Sequence, residues 1–291
     1  MNRAYLNPSL LSGFLLFLAA TCLAQTPSAL SNERCGEVIT MESHDRSTTH
    51  YAFLPPPRTA GPGGPVTLVL LAGGSGHVDL DDKGCPRALK GNSLVRLIPV
   101  FGAAGFGTAL VDAPSDFHGE DGLGGFRIAA LHAQDLGKVI ADLRARTQGS
   151  VWLVGTSRGA ISAANAGARL SGPSAPDGVV LTSAVTSGQR GAKKAWVAQT
   201  VFDVSLEDIR LPLLVVGHAA DKCLRSPANL MGKIMARIRS TRQQVVTVTG
   251  GPGHEGSPGL EACEGRAPHG FVDQEAEVAA GMARFIRGGA Y

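Results

Sequence analysis

One stretch of this chain leaves little freedom in how it can fold. Val151-Trp152-Leu153-Val154 is a short apolar run, Gly155-Thr156-Ser157-Arg158-Gly159 follows at once, and Ala160, Ala163 and Ala164 lie in the helical stretch 158–170. The run predicts a buried strand and the alanine-rich stretch a helix lying close against it. A turn this sharp forces Ser157 into a strained backbone conformation, and glycines two residues to either side remove the side chains that would clash there. The hydroxyl is then presented at the carboxyl end of the strand, beside the positive N-terminus of the helix.

The rest of the chain repeats this alternation. Val66–Leu71, Thr108–Val111, Val151–Val154, Gly178–Leu181, Leu213–Val216 and Val245–Val248 read as buried parallel strands. The less apolar segments Val38–Met41 and His50–Leu54 predict an antiparallel hairpin at one sheet edge. Helical periodicity is clearest over Phe126–Arg146 and recurs over Arg158–Leu170, Ala228–Arg239 and Gln274–Ile286. The proline- and glycine-rich stretch Pro55–Pro65 predicts a surface loop. Only a short segment separates Leu181 from Leu213, which predicts a small excursion around Ala192–Thr200 in place of a cap, and an open site. The sequence predicts an α/β fold in a single domain over residues 25–291. A net charge of +3 without a basic block argues against nucleic acid as a partner, and 5% aromatic residues offer no platform for sugars.

Residues 1–24 read as an export signal. Arg3 precedes the apolar stretch Leu10–Ala20, and Cys22 and Ala24 are the small residues of a cleavage site after Ala24. The apolar stretch is too short to span a bilayer comfortably, so no transmembrane segment is expected in the mature chain. A lipoprotein signal at Cys22 is the alternative, disfavoured by Thr21 before the cysteine. The expected destination is the periplasm or the exterior, an oxidising compartment. Cys35, Cys85, Cys223 and Cys263 would remain, and of their three pairings we expect Cys35 with Cys85 and Cys223 with Cys263. Their spacing lacks the close pairs of a zinc site, so no metal is expected.

The residues downstream of the turn point to nucleophilic catalysis. A serine alcohol needs a base to take its proton and an acid to hold that base. Asp221 follows the strand run Leu213–Val216, and Asp203 and Asp208, which precede that run, are the alternatives. His269, in Pro268-His269-Gly270-Phe271 before the last helix, is the expected base, with His254 as the alternative or as a substrate-rim residue. The proposed Cys223–Cys263 bridge would tie the loop of Asp221 to the loop of His269.

Through Gly155-Thr156-Ser157-Arg158-Gly159 and the order serine, acid, histidine, the chain resembles the α/β-hydrolase superfamily over roughly Val66–Ile286. Within that superfamily it resembles secreted bacterial members akin to dienelactone hydrolase and acyl-peptidase domains. The resemblance implies a mostly parallel eight-stranded sheet with helices on both faces, a serine nucleophile, no cofactor, and hydrolysis of an ester or acyl-amide bond in a small-molecule substrate. It also implies two backbone N–H groups facing the developing oxyanion: Arg158 for one, and Gly74 or Ser75, in Ala72-Gly73-Gly74-Ser75-Gly76-His77, for the other. Arg158 places a cation beside the turn, to bind an anionic group or, the preferred reading, to pair with Asp112 or Asp116. Asp112 and Ser115, at a strand's carboxyl end, are candidate pocket walls, and His77, His118 and His132 receive no role. A non-catalytic binding protein of the same fold and an acyltransferase are the competing readings, and nothing in the sequence selects an oligomeric state.

Overall fold

The computed structural model describes residues 34–57, 63–251 and 259–291. The expectations for the signal segment, Cys22, Ala24 and His254 lie outside these residues. The strands are β1 (Glu37–Glu42), β2 (Thr48–Leu54), β3 (Val66–Leu71), β4 (Gly107–Val111), β5 (Ser150–Thr156), β6 (Gly178–Thr182), β7 (Leu213–His218) and β8 (Gln243–Val248). They form one sheet in the order β1-β2-β4-β3-β5-β6-β7-β8. The β1–β2 hairpin and the β2–β4 pair are antiparallel, and every other pair is parallel.

The central strands are predominantly apolar because both of their faces are covered. Val69, Leu71, Val151, Leu153, Leu181 and Val215 pack on one side, under α2 (Ala130–Thr147) and α3 (Gly159–Arg169). Their neighbours Leu68, Leu70, Trp152, Val154, Val180 and Leu214 pack on the other, under α1 (Ser93–Ala103) and α5 (Glu275–Ile286). This period of two is the strand pleat expressed as two cores.

Three segments depart from the sequence expectation. Helix α1 is not among the helices expected from the sequence, and it carries Pro99 in its interior. Proline removes only one helical hydrogen bond. The stripe Leu94, Leu97 and Phe101 is fully buried, and the Asn92 side chain caps the helix by accepting from Leu94 N–H at 3.0 Å. Helix α2 begins at Ala130, because Phe126–Ile128 is a separate tight turn that sends Arg127 into the interior. The stretch 228–239 holds only a short α4 (Met231–Met235), anchored by Met231 and Ile234.

Between β6 and β7 the chain makes three single helical turns, pinned by the fully buried Val201, Leu206 and Ile209, and no cap is built there. Cys35 is bonded to Cys85 and Cys223 to Cys263. No helix among the described residues is long and apolar enough to cross a membrane.

Candidate active site

Ser157 has φ 53°, in the left-handed region, and its N–H donates to the Thr182 carbonyl at 2.9 Å. The flanking glycines are required by contact. A Cβ at Gly155 would lie 2.3 Å from the Gly159 carbonyl oxygen, and one at Gly159 would lie 2.0 Å from that of Leu71. The turn from β5 into α3 therefore closes only without side chains at these two positions, and it leaves Ser157 partly exposed at the strand's carboxyl end.

The loop after β7 carries Asp221, whose Oδ1 accepts from Cys223 N–H at 2.8 Å and whose Oδ2 lies 2.8 Å from Nδ1 of His269. Both side chains are almost completely enclosed, at 1% and 3% exposure. His269 sits in the turn Pro268–Gly270, and its carbonyl oxygen accepts from the Ser183 hydroxyl at 2.7 Å. Its other ring nitrogen, Nε2, is buried and has no hydrogen-bond partner among the described residues. His269, Ser157, Thr156 and Gly73 line one small cavity of about 40 Å³. The structure thus brings Asp221 and His269 into contact and sets Ser157 beside the same cavity, without a bond between the serine and the imidazole. Asp203 is spent holding the turn at Thr200, whose N–H and hydroxyl both donate to it, and Asp208 is exposed.

Two arginines that the sequence did not single out hold this geometry. Arg96, on α1, donates to the carbonyl oxygens of Gly265 at 2.7 Å and Gly270 at 2.8 Å, and to Glu275 at 2.9 Å, so the helix clamps the loop of His269. Arg127 is 1% exposed and has no acidic partner among the described residues; it donates to Ser162 Oγ at 2.8 Å and to the carbonyl oxygens of Ala72 at 3.1 Å and Gly74 at 3.3 Å. It thereby fastens the glycine-rich loop after β3 to α3. Burial pushes its guanidinium below its ordinary value, with the charge of Arg158 adding to this. Apolar neighbours could not signal either arginine, since each acts on backbone distant in sequence.

Gly74 adopts φ 57° and lines both the small cavity and a larger one beside it. Ser75 lines neither. Its carbonyl accepts from Leu123 N–H at 2.8 Å and its hydroxyl from His77 N–H at 3.3 Å. The larger cavity, about 310 Å³, opens from Ser157 and is walled by Val185, Trp196, Val197 and Leu260, with Arg158 and Arg225 reaching into it.

Arg158 pairs with neither acid expected of it. Its guanidinium lies over the Trp196 ring, 3.8 Å from the centroid. Burial, with Arg225 as a second cause, lowers its pKa to about 10. Asp116 is instead bonded to His44, Nε2 to Oδ2, at 3.0 Å. Asp112 is buried and accepts from the N–H groups of Val78, Leu80 and Ala113 and lies 2.9 Å from His77 Nδ1, so it braces the 77–80 loop and is no wall of the Ser157 cavities. Ser115, too, is no wall of these cavities: it is exposed and accepts from Thr48 N–H at 3.1 Å.

Donor atoms of His77, Asp112 and His118 lie within 4.8 Å of one another, as do those of Asp221, Cys223 and His269. Cys223 is taken by its disulfide. In the first group the Asp112 oxygens are engaged by backbone, and His118 Nε2 lies 3.0 Å from the Ala113 carbonyl oxygen.

No protein-family model and no curated protein sequence matches the chain. Solved structures do. The esterase RhEst1 from Rhodococcus sp. ECU1013 aligns with TM-score 0.56 and 16% identity over 87% of this chain and 99% of that one. XC6422 from Xanthomonas campestris, an α/β serine hydrolase without a lid, aligns with TM-score 0.54 and 14% identity, covering 86% and 93%. Est1E from Butyrivibrio proteoclasticus aligns with TM-score 0.53 and 13% identity, covering 86% and 98%. At such identities the likeness speaks for architecture alone, and by sheet order, crossovers and neighbours the chain has the α/β-hydrolase fold.

Proposed function

We propose that the chain is a serine hydrolase that cleaves an ester, or secondarily an acyl-amide, in a small-molecule substrate through an acyl-enzyme. The observation that carries this reading is His269, held by Asp221 at 2.8 Å through Nδ1, with its buried Nε2 unpaired among the described residues, in a residue that lines the same cavity as Ser157. An imidazole fixed at one nitrogen and free at the other is prepared to take a proton, and hydrogen bonds of this kind often close only once substrate is bound. The esterase activity named for RhEst1 points the same way.

In this mechanism the Ser157 oxygen attacks the acyl carbon and its proton passes to His269 Nε2, while Asp221 steadies the imidazolium. The N–H groups of Arg158 and Gly74 receive the oxyanion, Gly74 in preference to Ser75 because it alone of the two lines the cavity. His269 then protonates the leaving group, and water releases the acyl group. No cofactor takes part.

Residues 1–24 act as a cleaved export signal and residues 25–291 form the mature single-domain enzyme. The two disulfides suit the oxidising compartment this implies.

Labelling with a fluorophosphonate probe, combined with turnover of p-nitrophenyl esters and peptide anilides, tests the reading. Ser157 becomes modified, and Ser157→Ala and His269→Ala abolish turnover. Asp221→Asn lowers kcat by about 10⁴-fold. A native protein that takes no label and cleaves no ester is a binding protein of this fold.

A further inference from the structure

Arg158 and Arg225 reach into the same cavity beside Ser157, and neither has a carboxylate partner among the described residues. Asp121, the acid close enough to act on Arg158, is ion-paired to Lys194. The face of the Arg158 guanidinium is covered by Trp196, which leaves its N–H edges for other acceptors. Arg225 spends one N–H on the Ser187 carbonyl at a long 3.4 Å. Both cations are partly buried, and each stands in the other's field. Two like charges sharing a half-desolvated cavity repel one another, and an anion between them would reverse the sign of that interaction. Val185, Val197 and Leu260 give the cavity apolar walls that suit a hydrocarbon body, and Gln189 and Gln199 are the neutral polar side chains beside them. The volume of about 310 Å³ falls at the lower end of small-molecule pockets.

We propose that the substrate is an acyl ester bearing a carboxylate on its apolar body, with that carboxylate seated between Arg158 and Arg225 and the scissile carbonyl at Ser157. The inference rests on the hydrolase reading and names the substrate class of the same site. A carboxylate is the preferred anion because the planar guanidinium fork matches its two oxygens.

The test compares mono-p-nitrophenyl glutarate with p-nitrophenyl pentanoate and with the methyl ester of the glutarate, which restores length without charge. The wild-type enzyme turns over the glutarate with kcat/KM about tenfold or more above either neutral ester, and raising the salt from about 0.05 to about 0.5 M shrinks the ratio. Arg225→Met and Arg158→Met each collapse the ratio toward one, and Arg225→Lys restores part of it. The wild-type ratio is read independently of the variants, so a misfolded variant does not spare the proposal. A wild-type ratio at or below one, or a ratio that neither folded variant changes, overturns it. If the neutral esters are cleaved and Ser157 is labelled in that case, the hydrolase reading stands and only the anionic substrate is lost. If no ester is cleaved and no label is taken, the hydrolase reading fails and this inference with it.

Discussion

Arg127 donates to the carbonyl oxygen of Gly74 at 3.3 Å from a position that water does not reach. The same guanidinium holds the Ala72 carbonyl and the Ser162 hydroxyl, so a single buried side chain sets where the Gly74 peptide lies relative to α3. Hydrogen bonds to a charged group contribute roughly 1.5–3 kcal/mol each. Arg127→Met releases the loop, and kcat falls by about tenfold to a hundredfold, less than removing an oxyanion donor outright, while KM stays within about twofold. Arg127→Lys recovers part of the loss. Steady-state kinetics on variants shown by circular dichroism to be folded decide it, and an unchanged kcat would falsify the role.

The two disulfides should separate stability from activity. Cys223–Cys263 joins the chain two residues beyond Asp221 to the loop of His269, whereas Cys35–Cys85 ties the start of the described chain to a loop that lines neither cavity beside Ser157. Their loops are of similar length, 50 and 40 residues, so each bridge is worth about 2–4 kcal/mol. Replacing either pair with serine lowers the denaturant midpoint comparably, but only the Cys223/Cys263 pair lowers kcat below the folding transition. Equal kcat losses in both variants contradict this.

Helix propensity and close packing make opposite predictions at Gly159. Alanine is the better helix former by about 1 kcal/mol, yet its Cβ would sit 2.0 Å from the Leu71 carbonyl oxygen, and backbone cannot move aside. Gly159→Ala is therefore expected to destabilise by about 3 kcal/mol or more. Gly232→Ala in α4, where no atom lies within 4 Å of the new Cβ, stabilises by roughly 0.5–1 kcal/mol. Chemical denaturation of the two variants checks both signs.

Stability below neutral pH depends on His132. Its ring is buried with both nitrogens unpaired, and burial, followed by the charges of Arg127 and His44, pushes its pKa down to about 3 from 6.5. Between those values the unfolded chain binds a proton that the folded one refuses. Stability accordingly falls as pH drops from 6.5 toward about 3, by up to about 1.4 kcal/mol per pH unit. His44 has the opposite sign: burial lowers its pKa, but hydrogen bonds to Asp135 and Asp116 outweigh that and raise it, so its contribution is present below 6.5 and is lost as pH rises through the folded value. Denaturant midpoints across pH 3 to 6.5 should flatten in His132→Phe.

Short-range rules determined much of this protein. The apolar runs became strands within a few residues of their expected ends, and the turn at Ser157 followed from glycines whose contacts lie mainly within the same turn and against the neighbouring strand. The placement of Ser157, Asp221 and His269 in the connections after β5, β7 and β8 was legible too. Where a signal depended on a partner distant in sequence, only tertiary structure decided the outcome. Helix α1 forms despite Pro99 in its interior, because Leu94, Leu97 and Phe101 are buried against the sheet. Asp112 looked like a pocket wall and is a backbone brace, because its oxygens meet three N–H groups. Arg158 lies on Trp196 in place of an acid, and Arg127 points inward to carbonyl oxygens more than fifty residues earlier in the chain. Periodicity reports which face of an element is apolar, whereas a charge takes whatever partner the completed fold brings within a few ångströms.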